Sequence, residues 1–103
     1  MNGTKFELDE QKASKLSGMS VNEVWDFINK IAIKTDLIVV RNGEYHAKGN
    51  SKDQSNLAIF IFDELFEIDW FVKSVKTWEQ FYDDGIVEDI IFILQSNMTE
   101  SGK

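Results

Sequence analysis

The sequence predicts an α+β domain in which about four helices pack on a small antiparallel sheet. Two local signatures carry this prediction. One is an Asn42–Gly43 turn between two strand-like segments, and the other is a capping pattern at Ser20–Glu23 that precedes helical apolar spacing. The length of 103 residues fits a single domain, 1–103, with frayed ends expected at 1–5 and 97–103.

A short helix is expected over 6–16, although its apolar content is thin. Gly18 can end this helix, because glycine readily adopts the left-handed conformation that follows many helix ends. A longer helix is predicted over 20–35. At its start, the Ser20 hydroxyl can accept a backbone N–H of the first turn, and the Glu23 carboxylate can accept the serine's own N–H.

A β-hairpin is predicted over 37–48. Its first strand, Leu-Ile-Val-Val, is rich in β-branched residues, and Asn42–Gly43 is a preferred two-residue turn in which both positions need positive φ. The polar loop at 49–55 is the best candidate for a mobile segment. An isolated hairpin is only marginally stable, so helices or further strands must cover one face.

The second half of the chain carries overlapping helix and strand signals. Residues 53–67 favour a helix, with a strand at 57–62 as the alternative. A helix over 69–84 is predicted from an apolar stripe at helical spacing. This stripe consists of Phe71, Val75, Trp78 and Tyr82. The segment 86–95 is apolar almost all round, so it is expected to be either a buried helix or a central strand.

Charge is distributed unevenly along the chain. Residues 1–52 hold eight basic and seven acidic side chains, whereas 53–89 hold two basic and ten acidic ones. The second segment alone therefore carries −8, and the whole chain carries −7. A field of this sign repels nucleic acids and anionic membranes, and it attracts basic protein surfaces.

No cofactor or metal site is expected. The chain has no cysteine, and its one histidine, His46, fits a half-buried or solvent-facing strand position better than a metal ligand. The sequence contains no calcium-loop, phosphate-loop or dinucleotide-binding pattern, and the carboxylates of 63–69 are interpreted as a solvated helix face. We therefore expect a protein that is not an enzyme. A cytoplasmic protein is expected, because neither a signal-peptide pattern nor an apolar run of the ~20 residues needed for a membrane span is visible.

The function expected from these features is binding, and inhibition, of a basic protein such as a toxin or a nucleic-acid-binding enzyme. Immunity proteins and phage inhibitors of nucleases act in this way, although the analogy is one of size and charge and not of motif. The candidate contact residues combine carboxylates with aromatic anchors, because Trp and Tyr are enriched at binding hot spots. They are Asp63, Glu64, Glu67, Trp70, Trp78, Tyr82, Asp83, Asp84, Glu88 and Asp89.

Two alternative functions remain open. Residues 8–35 have the order of elements of a helix-turn-helix, namely a short helix, a glycine turn and a capped second helix. This order would suit a transcriptional regulator or an antitoxin. The second helix begins with Asn22, Glu23 and Asp26 instead of basic residues, so packing of the two helices is the favoured interpretation and direct nucleic-acid binding is not expected. The other alternative is a small ligand-binding domain, which requires a pocket that the sequence does not reveal.

Overall fold

The computed structural model describes the backbone of residues 1–101 and the side chains of 1–96. Its elements follow one another as β1 Gly3–Leu8, α1 Glu10–Ser17, α2 Val21–Lys34, β2 Ile38–Arg41, β3 Glu44–His46, α3 Asp53–Ala58, α4 Asp69–Ser74, β4 Val75–Phe81, β5 Val87–Asp89 and α5 Ile90–Ser101. The predicted α+β class is confirmed: the helices accompany a five-stranded antiparallel sheet with the strand order β2-β3-β1-β4-β5. No helix in the described part of the chain has the length and apolarity needed to cross a membrane.

Strand β1 occupies the centre of the sheet, although it lies at the start of the chain. It pairs antiparallel with β3 on one side and with β4 on the other. Its side chains alternate, so that Thr4, Phe6 and Leu8 are buried while Lys5 and Glu7 are exposed on the opposite face. The expectations of a frayed start at 1–5 and of a helix from residue 6 are therefore wrong for residues 3–8. Two partner strands provide hydrogen-bond partners for the backbone N–H and C=O groups of this segment.

The helix predicted over 20–35 is confirmed as α2. The Glu23 N–H donates to the Ser20 hydroxyl over 3.1 Å, and the Ser20 N–H donates to the Glu23 carboxylate over 3.0 Å. These two hydrogen bonds form the predicted capping box. The Ser20 backbone N–H, and after it the Ser20 side chain, lower the pKa of the Glu23 carboxyl because hydrogen bonds donated to the carboxylate favour its ionised form. The helix buries Val24, Trp25, Ile28 and Ala32.

The hairpin predicted over 37–48 is confirmed as β2 and β3 joined at Asn42–Gly43. Only Gly43 has a positive φ, 93°, so the expectation that both turn positions need one is wrong. The pairing register shifts between Val39 and Arg41. This irregularity lets a single glycine in the left-handed region close the turn.

A continuous helical segment spans 53–67, as predicted, and the alternative strand at 57–62 does not form. Its hydrogen-bond pattern changes along its length, because α3 continues as a π-helix over Ile59–Glu64 and then as a 3₁₀ turn over Leu65–Glu67. The whole segment covers the core with Leu57, Phe60, Ile61 and Leu65.

The helix predicted over 69–84 is wrong beyond its first six residues. α4 ends at Ser74, and the chain continues directly into β4, which pairs with β1. Trp78 lies opposite Phe6 and is buried on the same face as Gln80. The period of two set by strand pairing thus overrides the helical spacing of the apolar stripe.

The segment 86–95 is neither a buried helix nor a central strand. β5 is an exposed edge strand, and α5 begins where the Asp89 carboxylate accepts the Phe92 N–H over 3.3 Å. Ile90 and Leu94 are buried, whereas Phe92 is 69% exposed. The expected frayed end over 97–103 falls on residues whose side chains lie outside the described part of the chain.

A buried hydrogen-bond relay joins β1 to β4 at the centre of the sheet. The Trp78 Nε1–H donates to the Thr4 hydroxyl over 3.0 Å, and that hydroxyl donates to the Glu79 backbone oxygen over 2.7 Å. Thr4 is fully buried and Trp78 is 1% exposed. The Thr4 hydroxyl therefore satisfies an indole N–H that water cannot reach.

Replacing Thr4 with valine should destabilise the fold by about 1–3 kcal/mol, because the variant keeps the side-chain volume but leaves the indole N–H without an acceptor. Urea unfolding of the wild type and the variant measures this difference. Thr77→Val is the matched control, since the Thr77 hydroxyl donates to the Glu7 carboxylate on the exposed face. The control should stay within about 0.5 kcal/mol of the wild type. Equal losses in the free energy of unfolding for the two variants would mean that the buried relay does not stabilise the fold more than an exposed hydrogen bond.

Candidate protein-binding surface

The β4–β5 hairpin places four of the predicted contact carboxylates on one element. These are Asp83, Asp84, Glu88 and Asp89, called the hairpin carboxylates from here on, and all four are exposed. Between Lys76 and Lys103 the sequence contains six acidic residues and no basic one. Beyond Lys76, near the start of β4, the hairpin therefore carries no lysine or arginine that could neutralise it locally.

Backbone hydrogen bonds shape the tip of this hairpin. The Tyr82 N–H donates to the Ile86 oxygen over 3.0 Å, and the Gly85 N–H donates to the Tyr82 oxygen over the same distance. Gly85 has a φ of 87°, which glycine adopts without strain. The Asp84 carboxylate accepts the Ile86 N–H over 3.0 Å, as in Asx turns. The tip is thus a closed turn that holds its carboxylates outward.

Tyr82 lies inside this negative environment. Its hydroxyl donates to the Glu88 carboxylate over 2.5 Å. Burial, the hydrogen bond to Glu88 and the negative charges of Glu88 and Asp84 together raise the pKa of Tyr82 to about 12. The tyrosine therefore stays protonated and orients the Glu88 carboxylate through a charge-assisted hydrogen bond.

Internal cations neutralise only a small part of the hairpin. The N-terminal ammonium group of Met1 lies 2.7 Å from the Asp83 carboxylate. Lys5 reaches Glu79 on the neighbouring strand at 3.7 Å. Among the described residues, no salt bridge reaches the other three hairpin carboxylates. Their negative charge stays available to a partner.

The other predicted contact residues lie on the helical layer. Glu64 is paired with Lys34 at 3.2 Å, whereas Asp63 and Glu67 are exposed. Asp63 lies in the π-helical part of this segment, and Glu67 lies in the 3₁₀ turn that follows it. Within the described residues, no hydrogen bond, ion pair or ring contact joins this group to the hairpin carboxylates.

The three predicted aromatic anchors differ in accessibility. Trp78 is 1% exposed and belongs to the core, so its assignment as a surface anchor is wrong. Trp70 is half-buried against Phe27, with ring centroids 5.8 Å apart. Tyr82 is half-buried on the hairpin itself, and it is the anchor that lies beside the hairpin carboxylates.

The sequence analysis did not find the open face of the sheet. Strand pairing aligns one residue from each strand in a row across that face. The row is Ile38, His46, Gly3, Phe81 and Val87. The rings of His46 and Phe81 meet edge to face 5.4 Å apart, and a Cβ on Gly3 would lie only 2.6 Å from the Phe81 ring. The period-two alternation of 3–8 and 75–81 was the signal that could have predicted this face.

A shallow depression of about 630 Å³ lies on this open face. Its lining mixes both signs of charge, with Lys5, Glu7, Arg41, Glu44, Lys76 and Glu79 among the residues. His46 pairs with Glu44 over 2.8 Å and is half-buried on its strand, as predicted. Among the described residues, no group of three or more side chains is arranged to hold a metal ion.

Residues 8–35, the segment of the alternative helix-turn-helix interpretation, contain α1 and α2, which follow one another around Gly18. Asn22, Glu23 and Asp26 are exposed at the start of α2. Two of these three side chains are carboxylates, which repel a nucleic-acid phosphate backbone, so the electrostatics of α2 do not favour DNA binding.

A scan against protein-family models and searches of the curated proteins and of the solved structures found no match to this chain. The case for a function therefore depends on the geometry of the described residues alone.

Replacing Glu88 with glutamine should lower the pKa of Tyr82 from about 12 toward 10, because the negative charge that opposes tyrosinate formation is removed. A pH titration of tyrosinate absorbance measures the change. Tyr45 has its pKa raised to about 12, chiefly by burial, so it should titrate unchanged in the same sample. Tyr82→Phe identifies which of the two transitions belongs to Tyr82. An unshifted curve for Glu88→Gln would mean that Glu88 does not act on this hydroxyl.

Proposed function

We propose that this protein binds a basic protein surface through its β4–β5 hairpin and inhibits that partner by covering its cationic site. One observation carries the proposal. Residues 83–89 hold four exposed carboxylates, and the one cation paired with them in the described part of the chain is the N-terminal ammonium group. Such a surface is complementary to a cluster of lysine and arginine side chains.

The hairpin also offers apolar area among its charges. Ile86 is 56% exposed and Val87 is 55% exposed. Protein interfaces commonly combine an apolar centre with a polar rim, and charge alone gives specificity and association rate more than affinity. Ile86, Val87 and the half-buried Tyr82 are therefore proposed to supply the desolvated part of the contact.

The hairpin is a better candidate than the acidic helical segment 63–69. Glu64 is paired with Lys34, and Asp69 is paired with Lys73 over 2.9 Å. Exposed pairs of this kind are weak, but they reduce the local field that a basic partner would encounter. The hairpin keeps three of its four carboxylates outside such pairs.

We propose inhibition as the consequence of binding, because the hairpin carboxylates are complementary in charge to the cationic clefts of nucleic-acid-binding enzymes. A protein that covers such a cleft with carboxylates excludes the phosphate backbone of the substrate. The overall charge of −7 adds long-range attraction and steers the encounter. Because surface charges are screened beyond ~8–10 Å at physiological salt, the association rate should fall as salt rises.

The experiment is capture of partners from a lysate of the source organism on immobilised full-length protein, followed by association kinetics with the purified partner. Asp83→Lys/Asp84→Lys should slow association by roughly 10-fold or more at low salt, since steering raises rate constants from ~10⁵–10⁶ toward ~10⁸–10⁹ M⁻¹s⁻¹. The salt dependence of the rate should weaken in the same variant.

The matched control is Asp63→Lys/Glu67→Lys, which changes the net charge by the same amount at another surface. It should slow association much less, because the loss depends on where the charges lie and not only on their sum. Circular dichroism verifies that both variants are folded. Equal effects of the two variants, or a captured partner that is not basic, would refute the hairpin as the binding surface.

A further inference from the structure

The two edge strands of the sheet differ in chemistry. β5 is three residues long, Val87-Glu88-Asp89, and holds two of the hairpin carboxylates. β2 has the sequence Ile-Val-Val-Arg and contains no acidic side chain. An edge strand exposes unpaired backbone N–H and C=O groups that can pair with another strand unless charges or proline prevent it. β5 is protected by its charges, whereas β2 carries one charged side chain, Arg41, and a register shift between Val39 and Arg41.

Strand β2 is open on the side away from β3. No described strand pairs with that side, and Ile38 and Val40 are 47% and 40% exposed. Ile33, at the end of the preceding helix, is 66% exposed. An unpaired apolar strand of this kind is a template for strand addition.

Charge complementarity indicates which strand fits this edge. Asp36 precedes β2 and Arg41 ends it, and their side chains are 52% and 69% exposed. When two copies of the strand run antiparallel in a register that aligns Arg41 with residue 36 or 37, Arg41 of each copy lies beside the 36–37 segment of the other. The opposite charges then approach each other, while each keeps a partner in its own chain, Lys48 for Asp36 and Glu44 for Arg41.

The distribution of charge along the chain also favours a second copy of this chain as the partner of β2. Residues 1–52, which contain β2, carry a net charge of +1, whereas 53–89 carry −8. Two copies that meet at β2 therefore join their nearly neutral parts. Two copies that met at β5 would place Glu88 and Asp89 against the same carboxylates of the other copy, which is destabilising.

We propose that β2 pairs antiparallel with β2 of a second copy of this chain, forming a two-fold dimer with a continuous ten-stranded sheet. The contact is isologous, as in most two-fold dimers. The two hairpins then lie at the outer edges of the sheet, nine strand spacings or roughly 43 Å apart, at ~4.8 Å per spacing. The inference does not depend on the proposed function, because it concerns the opposite edge.

Sedimentation equilibrium of the full chain over a range of concentrations tests the dimer. The wild-type mass should rise toward twice the 11.9 kDa of one chain at physiological salt. Val40→Lys should remove this rise, since a lysine within an edge strand opposes strand pairing. Val87→Lys is the matched control, because it makes the same substitution at an exposed valine on the other edge strand, and it should dimerise like the wild type.

Ile38→Lys is a second variant at the same edge and should also give a monomer, with far-ultraviolet circular dichroism to verify that each variant is folded. A wild type that stays at the mass of one chain at every concentration overturns the proposal, and β2 is then an edge for a strand of a different protein. A loss of dimer in Val87→Lys equal to that in Val40→Lys also overturns it. Neither result bears on the hairpin variants, which are measured against a basic partner.

Discussion

The ring of Phe6 is the contact on which the arrangement of the elements depends. It lies on the core face of the central strand, and aromatic rings from four other elements pack on it with centroids 5.0–6.0 Å away. These rings belong to Trp25, Tyr45, Phe71 and Trp78. Edge-to-face and offset aromatic pairs contribute about 0.5–1.5 kcal/mol beyond the burial of their area. One side chain near the start of the chain thus locates a helix, a hairpin strand, a short helix and the fourth strand relative to one another.

This cluster also explains why the proposed binding surfaces lie at the edges of the sheet. Strand pairing aligns Trp78 with Phe6, so the residues next to Trp78 alternate between the core and the open face. The chain then leaves the sheet after Phe81, turns at 82–86 and returns as a short edge strand. Of the β4 side chains, only Trp78 and Gln80 are buried, and residues 83–89 beyond the strand are all exposed, so the hairpin buries none of its carboxylates.

Local signals in the sequence predicted local structure well. The capping box at Ser20 and Glu23, the turn at Asn42–Gly43 and the helical segment 53–67 all depend on residues within a few positions of one another. The strands β1 and β4 were not predicted in the same way, because their pairing partners lie far along the chain. In β4 the helical spacing of Trp78 competed with a strand alternation that puts the polar Gln80 in the core, and only the pairing with β1 decides between them. The candidate site followed the same rule. The acidic composition of 53–89 was visible in the sequence, but the positions of Lys34 and Lys73, which pair with the helical group, were not. Nor was it visible that, among the described residues, the hairpin carboxylates have one salt bridge, from the Met1 ammonium group to Asp83.

The uneven charge along the chain becomes a difference between the two edges of one sheet. The strand order β2-β3-β1-β4-β5 puts the nearly neutral first half at one edge and the acidic second half at the other. An acidic edge resists pairing with its own copy and attracts a basic surface. A neutral apolar edge can pair with its own copy and does not attract a basic surface. The proposed self-association at β2 and the proposed partner binding at the hairpin therefore use different surfaces and do not compete. A dimer of this kind would present two separated hairpins to a partner, and linked sites raise avidity only when the spacing of the partner's cationic sites matches their separation.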